Sequence, residues 1–368
     1  MSLTGTPFFA ITILIVVLAV IGMIAVWNRI PGPHAVRIIG RIGLTVLSQA
    51  AAVLMVLVYV NNSMGPFYDS WGDLFGSNAT VQMSATANQG GQQPNTGTKP
   101  GTVPVDPLTF STYTKGVLKT QAVGPESHIK GSLYVWLPPQ YNQAQFAHTD
   151  FPVVELLPGT PGTPQTWFGT MKANEEMVKL MGEGKVKPMI LVAATLNMFG
   201  GGNDSGCANL PGSYQTATWL AKDVPTMVKG NFRAATDAKH WAIMGYSAGG
   251  YCSANLTVQY PQSFHAAVTM SGYNYPDATV VLKDPALAKA NNPYLVLKNA
   301  KQQPDIVILA AGSLGDPGTV PDAEALVGVL HNPGPSRVMK LDHGSHTTAV
   351  FQTMLPQSLV WLSQQITA

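Results

Sequence analysis

Apolar positions fall into two regimes along this chain. Residues 8–27 (FFAITILIVVLAVIGMIAVW) run without a single charge, about the ~20 residues a helix needs to cross a bilayer. A second apolar run, residues 44–60, is extended at its start by Ile38, Ile39 and Ile42. The pattern predicts two membrane-spanning helices, over about 8–27 and 42–60. From about Leu108 the pattern changes. Residues 117–123 and 130–137 alternate apolar and polar, as a half-buried antiparallel pair does, until Pro138-Pro139 breaks the ladder. Short continuous apolar runs then recur at 153–157, 189–196, 241–244, 266–270, 306–311 and 338–341. Helical patterns at 172–181, 216–228, 251–260 and 350–366 intervene. Strands buried on both faces, joined by crossover helices, predict an α/β domain around a mainly parallel sheet.

Composition supports this division. Charged residues make up only 11% of the chain and hydrophobic ones 46%, against roughly 25% charged in ordinary soluble domains. The net charge of +2, with no Lys/Arg cluster among aromatics, gives no basis for nucleic-acid binding. Arg29, Arg37 and Arg41 lie between the two apolar runs, no Lys or Arg precedes the first, and none follows the second until Lys99. The positive-inside rule then puts the short connection in the cytoplasm and both termini outside. A signal peptide fits the first run poorly, because it lacks a basic start and its apolar stretch is too long. Phe67, Tyr68, Trp71 and Phe75 suit an interfacial segment and equally suit packing on the spans or the domain, and residues 77–107, rich in Gly, Pro, Ser, Thr, Asn and Gln, suit a flexible tether. The expected organisation is a membrane anchor over 1–76, a linker over 77–107 and an extracytoplasmic domain over 108–368.

The chemistry centres on Gly245-Tyr246-Ser247-Ala248-Gly249. This G-x-S-x-G follows a buried-strand pattern and leads into a helical one, the setting in which a serine is lifted off a sheet on a sharp turn. It predicts an α/β-hydrolase, with Ser247 as nucleophile. That fold presents nucleophile, acid and histidine in chain order. Asp342-His343-Gly344-Ser345-His346 lies between the last strand and the last helix, and His346 is preferred over His343 as base. Asp316 stands at the carboxyl end of the 306–311 strand and is the preferred acid; Asp305 is at the wrong end, and Asp322 reads as a helix-start residue. Oxyanion donors are expected from the amide of Ala248 and from the loop Leu157-Pro158-Gly159-Thr160-Pro161-Gly162. Proline has no N–H, so Thr160 is the first candidate there and Gly159 the second. Cys207 and Cys252 are the only cysteines. Both fall near the active-site end of the predicted sheet, and an exported domain would favour a disulfide between them; two separate buried thiols are the alternative.

From about Gly131 onward the chain resembles the esterase D family of α/β-hydrolases, which includes the secreted actinobacterial mycolyltransferases. The resemblance rests on LLPGTPGTPQTW (156–167), TWLAKDVPTMV (218–228), GYSAGGYCSANL (245–256) and HGSH (343–346). It implies a nucleophile at Ser247, an acid at Asp316, a base at His346 and an oxyanion amide at Thr160. The sequence departs from many relatives at Pro158, where they carry His or Asp. The resemblance implies ester hydrolysis or acyl transfer through an acyl-serine, with no metal or organic cofactor. The expected protein is thus a multi-pass cell-membrane esterase or acyltransferase acting on a small-molecule or lipid ester, with a sugar as one candidate acceptor. An inactive exported binding module and a serine peptidase on the same scaffold are the competing readings.

Overall fold

Continuous apolar runs become strands that are buried end to end. In the computed structural model, which describes residues 6–63, 107–114, 116–199 and 204–367, β4 (Val153–Leu157), β5 (Ile190–Ala194), β6 (Trp241–Tyr246), β7 (Ala266–Met270) and β8 (Val307–Ser313) are buried at every position. The alternating segments form β2 (Val117–Val123) and β3 (Lys130–Trp136), preceded by a short edge strand, β1 (Ser111–Thr114). With β9 (Arg337–Leu341) they make one nine-stranded sheet in the order β1-β2-β3-β5-β4-β6-β7-β8-β9. Pairing is antiparallel from β1 through β3 to β5 and parallel from β5 to β9. This is the α/β-hydrolase fold.

The chain divides into two compact units, Met1–Ser84 and Ala85–Ala368. In the first, helix α1 (Thr6–Val26) packs on α2 (His34–Ser63). Ser48 Oγ donates to the Ala19 carbonyl at 3.4 Å, and the Arg41 guanidinium lies over the Trp27 ring. Apolar side chains such as Leu18, Ile21, Ile24, Ile39 and Leu47 face outward along both helices. The second helix starts earlier than the apolar pattern predicts. It takes in Arg37 and Arg41, because charged residues at a helix end do not interrupt its backbone hydrogen bonds. Phe67, Tyr68, Trp71 and Phe75, expected in an interfacial segment, and the expected linker up to residue 106 lie outside the described residues.

In the second unit each face of the sheet carries its own core. One face is covered by a π-helical turn (Trp219–Asp223) running into α4 (Val224–Asn231), and by α5 (Ala248–Gln259), through Trp219, Val224, Tyr251 and Leu256. The other is covered by α3 (Ala173–Gly182) and a long C-terminal helix (Thr348–Ile366), through Met177, Leu180, Phe351, Met354 and Leu359. Burying a side chain of this size stabilises by roughly 1.5–3 kcal/mol, so most of the fold's driving force lies in these two layers. Three short helices (Thr279–Leu282, Pro285–Ala290 and Pro293–Asn299) follow β7 where the apolar pattern predicted none. Asp284 and Asn292 cap the last two with side-chain oxygens, each ahead of a helix-starting proline.

Among the buried strands β4–β8 one residue carries a carboxyl group. Glu155, in the middle of β4 between Val192 and Ile243, is fully buried, and neither carboxyl oxygen has a partner among the described residues. Burial pushes its carboxyl well above the usual carboxylate range.

Candidate active site

The turn after β6 is dictated by steric necessity. Ser247 sits at φ 55°, ψ −124°, a backbone conformation that L residues avoid. It is held there because Ser247 N–H donates to the Met270 carbonyl at 2.9 Å while its own carbonyl accepts the Tyr251 N–H at 3.0 Å, starting α5. The flanking glycines are obligatory. A Cβ on Gly245 would overlap the Gly249 carbonyl, and one on Gly249 would overlap the Leu157 carbonyl. Strand, turn and helix therefore close at this spot only without those side chains.

Two distant segments complete the site. His346 Nε2 lies 2.8 Å from Ser247 Oγ, and His346 Nδ1 lies 2.7 Å from Asp316 Oδ2. A carboxylate can only accept, so Nδ1–H donates to Asp316 and the Nε2 lone pair faces the serine hydroxyl. Asp316 is buried while the imidazole stays half exposed and meets the Phe351 ring in a T-shaped contact, with ring centroids 5.1 Å apart. Phe351 stacks in turn on Tyr246 at 4.9 Å. The loops that carry Asp316 and His346 are stitched together. Ser313 Oγ donates to the Gly344 carbonyl at 2.6 Å, and Leu314 N–H to the Leu341 carbonyl at 2.9 Å. Thr319 Oγ1 donates to the Asp316 carbonyl at 2.8 Å, fixing the turn that carries Asp316.

The loop after β4 lies against the elbow. A Cβ placed on Gly159 would come within 3.0 Å of the Tyr246 ring and 3.1 Å of Ser247 Cβ. Thr160 follows it directly. Ala248 is the first residue of α5, so its N–H is one of the donors a helix leaves unpaired. Asn197, which the hydrophobic pattern does not single out, reaches this loop from beyond β5. It donates to the Gly159 and Gly162 carbonyls at 3.1 and 2.8 Å and accepts from Thr160 Oγ1 at 2.7 Å. Asp204 also lies beside the Thr160 hydroxyl. Burial, and then the nearby Asp277 charge, raise its carboxyl above the ordinary range, against the Gly206 N–H, which stabilises its charged form. Cys207 and Cys252 form a disulfide that ties the 204–210 segment to α5.

The remaining candidates have other partners. His343 is exposed and paired with its neighbour Asp342. His265 Nδ1 contacts the Asp305 carbonyl at the opposite end of the sheet. Asp223, in the W-L-x-x-D-V segment, accepts the Glu126 and Ser127 amides at 2.9 Å each, a structural clamp. Asp322 lies in the first turn of the helix Thr319–Gly328, which begins three residues before it. Among the described residues no cluster of three or more His, Cys, Asp or Glu side chains is arranged to hold a metal ion.

Residues 126–358, well over half of the chain, match the family model described as "Putative esterase". The chain belongs to this esterase family. An uncharacterized protein of Corynebacterium glutamicum is 27% identical over 144 residues, 39% of this chain and 33% of that protein, so the match spans about a third of that relative's length. Among solved structures, a ferulic acid esterase superposes with a TM-score of 0.58 at 19% identity, covering 67% of this chain and 97% of its own. The S-formylglutathione hydrolase of Agrobacterium tumefaciens gives 0.57 at 14% identity, covering 70% and 98%. The enterobactin esterase of Shigella flexneri gives 0.51 at 15% identity, covering 72% and 61%. At these identities the superpositions establish the fold, and the esterase family rests on the sequence match.

Proposed function

We propose that this member of the esterase family is a serine esterase or acyltransferase that works through an acyl-serine. The observation that carries the proposal is the continuous hydrogen-bonded relay from Ser247 Oγ through His346 to Asp316. In the proposed mechanism Ser247 Oγ attacks the ester carbonyl as its proton passes to His346 Nε2. Asp316 keeps the ring oriented and stabilises the imidazolium that forms. The Ala248 and Thr160 amides hold the oxyanion. The tetrahedral intermediate collapses, the leaving alcohol takes the proton from His346, and the acyl group stays on the serine. His346 then deprotonates water, or a sugar or other alcohol hydroxyl, which attacks the acyl-enzyme and frees Ser247.

We place the protein in a membrane, with the catalytic unit on the extracytoplasmic side and its substrate among lipid or cell-envelope esters. Two observations favour this placement independently. Helices α1 and α2 contain apolar windows of 20 and 27 residues, with the arginines between and just inside them. The Cys207–Cys252 disulfide suits an oxidising compartment. An acyl-donor screen of p-nitrophenyl esters from short to long chain, with and without trehalose, tests the reading in full-length protein. Turnover lost in Ser247→Ala and His346→Ala supports it. A p-nitroanilide hydrolysed as fast as the matching ester would point to a peptidase, and a folded protein with no turnover to a binding module.

A further inference from the structure

We propose that Asn197 is a positioning residue that sets the oxyanion-donor loop, holding the Thr160 amide where charge develops on the substrate. This inference rests on the acyl-serine reading and deepens it. The loop 157–162 follows β4 with two prolines and two glycines in six residues, and such a segment has few backbone hydrogen bonds of its own. Asn197, on the neighbouring loop after β5, supplies them from one side chain. Its Nδ2 donates to both the Gly159 and Gly162 carbonyls, 3.1 and 2.8 Å away, which bracket Thr160. Both of those partners are acceptors, so the amide orientation is fixed by chemistry and Oδ1 must be the atom that accepts from Thr160 Oγ1 at 2.7 Å. Three groups of the loop are thereby tied to one planar amide. The loop is packed so close to the elbow that a Cβ at Gly159 would already touch Ser247 Cβ, so it cannot move nearer. Nor can it rotate the Thr160 amide without breaking a bond to Asn197. Preorganised donors lower a barrier because they need no reorientation as charge forms.

The role differs from plain structural support in what it predicts. Loss of one oxyanion donor costs about 10²–10³-fold in kcat elsewhere, and loosening a donor falls at the low end of that range. Asn197→Ala and Asn197→Asp are made in the full chain in detergent and assayed with p-nitrophenyl butyrate and with an alkyl trifluoromethyl ketone. That ketone adds to the serine as a tetrahedral adduct whose oxygen takes the oxyanion's place. Each variant is expected to lose roughly 10²-fold in kcat with KM changed by less than about 3-fold, while the inhibition constant of the ketone rises by the same factor as kcat falls. If the alanine variant does not fold, Asn197→Asp decides by the same criteria. It keeps the size and the acceptor for Thr160 but turns carboxylate oxygen toward two carbonyls. Unchanged kcat and ketone affinity, or a rise confined to KM, overturns the proposal. Ser247→Ala run alongside separates the two claims. Turnover that survives it overturns the nucleophile reading, whereas turnover that needs Ser247 but tolerates loss of Asn197 overturns this one.

Discussion

Replacing Glu155 should make the catalytic unit more stable, and by an amount that grows with pH. The carboxyl is fully buried on the central strand β4, has no hydrogen-bond partner among the described residues, and is shifted upward by burial alone. It therefore keeps its proton in the folded chain at pH values where the unfolded chain, with an ordinary glutamate near ~4.3, has lost it. The folded state then binds more protons than the unfolded one. The carboxyl's contribution is fully present below about pH 4.3 and is lost as pH rises toward the folded-state value, at about 1.4 kcal/mol per pH unit. Between pH 5.5 and 7.5 that amounts to as much as about 2.7 kcal/mol from one residue. Glu155→Gln keeps the shape and removes the titration; Glu155→Leu also removes the unpaired polar atoms. The assay is urea unfolding of full-length protein in detergent, read by the fluorescence of buried Trp167, Trp219 and Trp241. With an m-value of about 3 kcal/mol/M, the midpoint of the Gln variant relative to wild type should move upward by up to about 0.9 M between the two pH values. A midpoint difference independent of pH would refute the reasoning, because it would mean that Glu155 is ionised in the folded as well as the unfolded chain over this range.

The other expectations concern the elbow and its braces. Asp316→Asn should lower kcat by about 10³–10⁴-fold with little change in KM, since His346 loses the acceptor that fixes its tautomer; steady-state ester kinetics measure it. Gly249→Ala should destabilise by about 3 kcal/mol or more, because the added methyl overlaps the Leu157 carbonyl. A soluble, fully active Gly249→Ala protein would show that the turn is less tight than described. Removing the disulfide with Cys207→Ala and Cys252→Ala together releases a constraint between positions 45 residues apart. That should cost about 4 kcal/mol of stability in a urea titration while leaving KM for a short ester nearly unchanged.

How much of this was legible in the sequence depends on the distance over which each feature is determined. The elbow is local: a buried strand, two glycines that must lack side chains and a helix start within nine residues. Chain order then narrowed the acid and base to Asp316 and His346, which the fold brings together across 30 residues. The sheet was readable because strands buried on both faces must be continuously apolar. What stayed hidden depends on tertiary contact. Asn197 lies 35–38 residues from the loop it holds, and nothing in its surroundings marks it. Glu155 reads as a polar interruption in a strand, and only packing on both faces shows how completely it is enclosed. The insertion of β5 between β3 and β4 follows from no periodicity, because the runs at 153–157 and 189–196 are both simply apolar. Asp223 carries a charge in a family-like segment, yet its two amide partners sit 96 and 97 residues away.

The central claim is that one serine hydroxyl is made nucleophilic by one imidazole. Treating the full-length protein with an alkyl fluorophosphonate and mapping the modified peptide by mass spectrometry tests it directly. The account predicts a single phosphonyl adduct on Ser247, absent in folded His346→Ala protein. An adduct on a different serine, or equal labelling of Ser247 without His346, would contradict it.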